Sequence, residues 1–222
     1  MNRTAAPIRF AGSTLKDRAH ICAFFNSPDE AYGVLLPFIK EGLESGEKAF
    51  HTIDPRQREE HIRRLTSAGI DIAAAHEKKC QIEIRDWTES HLRDGRFDQE
   101  QTLAFWKKVG DEAKTQGFPL VRFVSQMEWV VDADVAVDEL LEYEAKANDT
   151  WVQQSGSVNP AICVYDLKRF RGDIVVDVMR THPLIIINGV LQENPFFVPP
   201  DEFLRELRER RGQKSARSHP AA

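Results

Sequence analysis

The stretch from His20 to Asp54, HICAFFNSPDEAYGVLLPFIKEGLESGEKAFHTID, constrains the fold of this chain more than any other. His20 to Phe25 is a short apolar, aromatic-rich run, the pattern of a strand buried on both faces. Asn26-Ser27-Pro28-Asp29-Glu30 reads as a helix start. Ser27 suits the N-cap, Pro28 the first helical position, and Asp29 and Glu30 the end where the helix dipole favours negative charge. Val34, Leu35, Phe38, Ile39 and Leu43 recur at helical spacing, and Gly46 ends the run. Lys48 to Ile53 is a second apolar run, stopped by Asp54-Pro55. Strand, helix and strand in this order predict a right-handed βαβ unit with two parallel strands.

In nucleotide-binding units of this kind the first loop is rich in glycine, so that backbone N–H groups can approach phosphate at the helix N-terminus. Here the loop from Phe25 to Glu30 has no glycine and no lysine, and it puts two carboxylates where a phosphate would sit. The segment Gly42 to Lys48 looks superficially like a phosphate loop, but it closes a helix and leads into a strand, the reverse of the required order. The outline is that of a nucleotide binder; the loop is hostile to phosphate.

A chain of 222 residues can bury one large α/β core. Lys and Arg total 30 against 35 Asp and Glu, so the average surface does not favour polyanions. The first residues lack the apolar core of a signal peptide, and no run approaches the roughly 18–20 apolar residues that span a bilayer. Cys22, Cys80 and Cys163 form no CxxC pair and read as reduced thiols. A cytoplasmic location without membrane contact is expected.

Residues 1–19 read as a loosely ordered lead-in. After the opening unit, Pro55 begins a helix to about Ala68, ended by Gly69, and 70–79 is a connection with room for a short helix. Gln81 to Trp87 alternates apolar and charged residues, as an edge strand does. A helix from about Gln99 to Gln116, a strand from Leu120 to Val124, a helix capped by Asp134 and running to about Gln153, and a strand from Ala161 to Tyr165 follow. Asp173 to Arg180 is helical, Leu184 to Ile187 a strand, and Asp201 to about Arg211 a last helix before a polar basic tail. About six strands alternating with helices predict a three-layer α/β sandwich with a mostly parallel sheet, a single unit over 20–204.

The chain resembles the MEDS family, the sensory domain of methanogens and methylotrophs named after the DcmR regulator. The resemblance rests on His20 to Phe25, Pro37-Phe38-Ile39 to Leu43, Gly46-Glu47, Arg122, Met127-Glu128-Trp129 and Tyr143-Glu144. It continues through Cys163-Val164-Tyr165-Asp166, His182-Pro183 and Asn194 to Phe203. It implies a core similar to the KaiC/RecA type of ATPase without its phosphate-binding loop. It also implies a sensory role, proposed for small hydrocarbon derivatives, often beside kinase or DNA-binding domains. The 222 residues show neither partner domain, so signalling to a separate protein, such as a histidine kinase or transcription regulator, is the expected output.

In a parallel sheet, ligands bind at the carboxyl ends of the strands. Those ends supply the expected ligand-binding set: Phe25, Asn26, Ser27, His51, Asp54, Trp87, Ser125, Glu128, Trp129 and Tyr165. Aromatic walls with a few hydrogen-bonding groups suit a small, largely apolar organic ligand. Glu128 stands where a related ATPase would carry a metal-coordinating or catalytic carboxylate, and it could orient a ligand or pair with Arg122; a structural or solvated carboxylate is the commoner role. Core packing is likewise the commoner role for Trp87 and Trp129.

His20, Cys22, Cys163 and His182 have donors that suit zinc. His20 and Cys22 share a strand face, but the other two are remote in sequence, so no metal and no cofactor is assigned. His182-Pro183 reads as a helix terminator whose imidazole bonds a backbone carbonyl. The acidic helix residues Asp138, Glu139, Glu142 and Glu144 read as a solvated face. The tail with Arg208, Arg210, Arg211, Lys214 and Arg217 has no interleaved aromatics, so nucleic acid is not an expected partner. No catalytic residues stand out.

The reading that follows is a non-enzymatic sensor. Two alternatives stand beside it: a divergent ATPase, and an interaction module without a small ligand. The second is motivated by the proline-stiffened NPFFVPPDEF segment, whose Phe196, Phe197 and Phe203 must cover the core or meet another chain, as in a homodimer.

Overall fold

Nearly every apolar run of the chain pairs into one sheet. The computed structural model describes residues 8–15, 20–78, 80–152 and 159–218. In chain order the elements are β1 (Arg9–Phe10), β2 (Ser13–Thr14), β3 (His20–Phe25), α1 (Pro28–Glu44), β4 (Lys48–Ile53), α2 (Arg58–Ser67), α3 (Ile72–Glu77), β5 (Ile82–Asp86) and α4 (Gln99–Thr115). There follow β6 (Val121–Gln126), α5 (Trp129–Asp132), α6 (Val137–Val152), β7 (Ala161–Asp166), α7 (Gly172–Arg180), β8 (Leu184–Ile187), β9 (Val190–Glu193) and α8 (Pro200–Ser218). The main sheet runs β5-β4-β6-β7-β3-β8-β9, parallel throughout except for the β8–β9 pair.

The first helix starts as its sequence dictates. Ser27 Oγ accepts the Glu30 amide at 3.3 Å, and Pro28 occupies the first turn. The strands on either side of it, β3 and β4, are parallel but not neighbours, because β7 and β6 lie between them. From β3 the chain travels to β4 and β5 at one edge, then returns through β6, β7 and β8. Right-handed crossovers made in opposite directions put their helices on opposite faces. One face packs Ile21, Ala23, Phe25, Val124 and Ile162 against α1, α2 and α3. The other packs Cys22, Phe24, Cys163, Tyr165 and Ile185 against α6, α7 and α8, and Phe50, Phe123 and Ala161 against α4. This is the expected three-layer sandwich.

Several local expectations give way. The described part of the lead-in, 8–15, is a hairpin with Ile8, Phe10 and Leu15 buried, where the sequence suggested loose chain. Asp134 does not cap the long helix. Its φ of +49° turns the chain out of the short α5, and α6 begins at Val137. The strand β9 was not anticipated. The last helix runs on to Ser218, and its Arg210 and Arg211 pair with Asp177 and with Glu142, so the basic stretch to 218 is helical rather than a tail. Residues 155–158 of the expected break, and those beyond 218, lie outside the described residues.

Arg122 does not meet Glu128. It sits at the start of β6 and Glu128 lies past its end, a strand length of roughly 20 Å away. Buried, Arg122 pairs with Glu47, reaches Glu41 at 3.1 Å and the Phe38 carbonyl at 2.5 Å, and lies over the Phe38 ring. Gly42 gives it room: a Cβ there would lie 2.6 Å from the Arg122 side chain.

Candidate functional site

Chemistry gathers on the face covered by α4 and α6. In parallel register Cys22 lies beside Cys163, so His20, Cys22, Cys163 and Tyr165 point the same way. Helix α6 lays Glu144 against them, and the turn between α7 and β8 adds His182. Donor atoms of His20, Glu144, Cys163 and His182 all lie within 4.8 Å of one another, and all four side chains are buried. Distance in sequence was not distance in space, and this corrects the reading of His182 and Cys163 as remote. Cys22 is adjacent on the strand, with its thiol toward the Leu184 carbonyl.

Glu144, read from sequence as part of a solvated face, is fully buried. Its Oε1 accepts from the Tyr165 hydroxyl at 2.5 Å. Its Oε2 lies 3.3 Å from His20 Nε2, 3.4 Å from His182 Nε2 and 3.7 Å from Cys163 Sγ. Burial penalises charge on Glu144 and His182 alike, but His182 and His20 hold the Glu144 carboxyl well below its ordinary range, and Cys22 and Glu144 hold the His182 imidazole above its own. His20, disfavoured as a cation by burial and by His182, titrates at about 4. The His182 Nδ1 meets the Val178 carbonyl at 3.0 Å, the helix-end bond its sequence position suggested.

Beside this cluster is an internal cavity of about 20 Å³, walled by Phe50, Trp106, Phe123 and Tyr143 and touching His20, Ser125 and Cys163. It has room for little more than one water-sized molecule. Trp106 donates to the Tyr143 hydroxyl at 2.8 Å, which fixes that wall. Larger hollows beside β1, β2 and β9 are grooves in the surface.

Of the ten residues expected to bind ligand, Ser125 lines the cavity and Tyr165 contacts the cluster beside it. Phe25 packs in the opposite core, Asn26 is exposed, and Ser27 is committed to capping α1. His51 also faces away, toward His61 at 3.0 Å, which in turn bonds Tyr32 at 2.7 Å. Asp54 caps the turn that follows β4 and is bridged by Arg56. Trp87 is buried, its indole N–H donating to the Gln126 carbonyl at 3.1 Å, and Trp129 is buried in a stack on His91. Glu128 is buried and accepts the Asp166 amide at 3.1 Å. Most of these strand-end groups are therefore taken up by bonds within the chain, His51 Nε2 and the Trp129 indole N–H excepted, which are buried without a hydrogen bond, and the enclosed space lies beneath them.

The helix end that phosphate would use is also taken. The Asn26 amide donates to Glu30 Oε2 at 2.8 Å, so a carboxylate of the chain itself fills the anion position. Fold and site together define an α/β sandwich without a phosphate loop, with its polar centre buried rather than set in an open cleft.

The chain belongs to the MEDS family. The model of that family, described as the MEthanogen/methylotroph, DcmR Sensory domain, matches residues 19–183. A curated relative, the transcriptional repressor DcmR of Methylorubrum extorquens (strain DSM 6343 / CIP 106787 / DM4), is 24% identical over 187 residues. The match covers 81% of this chain and 64% of that protein, so the chain spans less than two thirds of its relative. The family is one of sensory domains. No described helix is long and apolar enough to cross a membrane.

Proposed function

We propose that this chain is a non-enzymatic sensory domain that takes a small organic molecule into the cavity between β6, β7 and helices α4 and α6. The observation that carries this reading is the cavity itself: an aromatic enclosure with a few polar groups, Ser125, His20 and Cys163, converging on it. At about 20 Å³ it holds little beyond a water, so a one-carbon alcohol or halocarbon enters only as the walls open, and a nucleotide is excluded. Binding would shift α4 and α6 against the sheet, and a separate protein, of the kind that controls transcription, would read that shift. The carboxylate-filled end of α1 weighs against the divergent ATPase.

Thermal melts with methanol, halomethanes and formate test the reading. A ligand present at a hundred times its Kd should add roughly 2.7 kcal/mol of stability. Ala161→Val, which puts two methyl groups into the cavity wall, should remove the shift while leaving the protein folded. Mg–ATP should give no shift. Stabilisation by ATP, or a small-molecule shift that survives Ala161→Val unchanged, would contradict the proposal.

A further inference from the structure

We propose that His20, Glu144, Cys163 and His182 are the four protein ligands of a divalent transition-metal ion of the zinc class, set in the wall of the cavity. The distances support this directly. The donor atoms are separated by 3.3 Å (His20–Glu144), 3.4 Å (His182–Glu144), 3.5 Å (Cys163–His20) and 3.7 Å (Cys163–Glu144). Hydrogen bonds between a carboxylate and an imidazolium are shorter, about 2.7–2.9 Å. A tetrahedral ion with zinc-like bonds to nitrogen, oxygen and sulfur needs donors about 3.3–3.8 Å apart. Four of the six donor pairs have this spacing and all six lie within 4.8 Å, so the four atoms surround a common point.

The outer contacts turn each ligand toward that point. His20 Nδ1 lies 3.2 Å from Asn148 Oδ1. The Asn148 amide nitrogen is committed to the carbonyls of Glu144, Ala145 and Thr181, so the oxygen faces His20 and Nδ1 carries the proton. His182 Nδ1 faces the Val178 carbonyl and carries its proton for the same reason. Both rings then present Nε2 inward, and His182 Nε2, fully buried, makes no hydrogen bond. Tyr165 occupies Glu144 Oε1 and leaves Oε2 for the ion. Partners of this kind orient the ligands of metal sites.

Charge closes the argument. A dication with one carboxylate, one thiolate and two neutral imidazoles is a neutral centre, which a dry interior tolerates. On metal entry the Cys163 thiol releases its proton to solvent, both imidazoles bind through an unprotonated Nε2, and no electrons move. Thiolate with imidazole favours zinc over magnesium or calcium. Four buried protein ligands make a closed site that ties β3, β7, α6 and the α7–β8 turn together. The inference stands on the cluster alone and does not need the cavity to bind anything.

Untagged full chain tests it. Elemental analysis should find one equivalent of zinc. Cobalt(II) added to chelator-treated protein should give the visible bands of a tetrahedral ion and a thiolate-to-cobalt charge-transfer band, both abolished by zinc. Cys163→Ser should lose the charge-transfer band and His182→Gln should weaken binding by tenfold or more, while Cys80→Ser behaves as wild type. The wild-type titration needs no variant to fold. A chelator-treated wild type that keeps its circular dichroism yet takes up neither zinc nor cobalt would overturn the proposal, as would a charge-transfer band that persists in Cys163→Ser.

Discussion

Glu128 shows what burial does to a single residue. It accepts the Asp166 amide, with the Asp166 carboxylate and the Arg169 guanidinium nearby, and burial pushes its carboxyl up to about 7. Unfolded, that carboxyl ionises at about 4.5, so between these values the native state holds a proton that the unfolded state has lost. Glu128 therefore makes stability fall as pH rises from about 4.5 to 7, by about 3 kcal/mol in all. Glu128→Gln should match wild type near pH 4 and exceed it by about that amount at pH 8, as read by urea melts at both values. A difference that does not change with pH would contradict the assignment. Buried histidines such as His61, which titrates at about 4, act in the opposite sense over the same window, but they are common to both proteins and cancel in the comparison. The Ser27 cap was legible because it depends only on near neighbours in the chain. The fate of Glu128 was not, because it depends on what the rest of the chain places over it.

At the scale of elements, sequence pattern carried further than it was taken. In α6 the acidic residues do not share one face. Glu144 follows Leu140 by four residues and precedes Asn148 by four, so helical spacing puts it on the buried stripe while Asp138 and Glu142 point toward solvent and α8. The strand β9 also had a signal. Asn188-Gly189, both with positive φ, is a two-residue hairpin turn between apolar runs. The NPFFVPPDEF segment divides its aromatics: Phe203 on α8 is buried beneath the Arg180 guanidinium, and Phe196 is 60% exposed. Phe203→Ala should cost about 3–5 kcal/mol in urea unfolding and Phe196→Ala less than about 1. The reverse order would mean that α8 does not seal the core.

At the scale of the whole molecule, the alternation of strands and helices gave the sandwich, but not the order in which the strands lie. That order depends on contacts between distant segments, and it is what brings His20, Glu144, Cys163 and His182 to one point. The site proposed here lies in the interior of the sandwich, beneath the strand ends. The central claim is that ligand enters the enclosed aromatic cavity and does not rest on the strand ends. Crystals of the wild-type protein exposed to dibromomethane would test this most directly, because bromine locates itself by anomalous scattering. The account predicts a peak between Phe123, Tyr143 and Cys163; a peak among Asn26, Ser27 and Asp54, or none inside the domain, would contradict it.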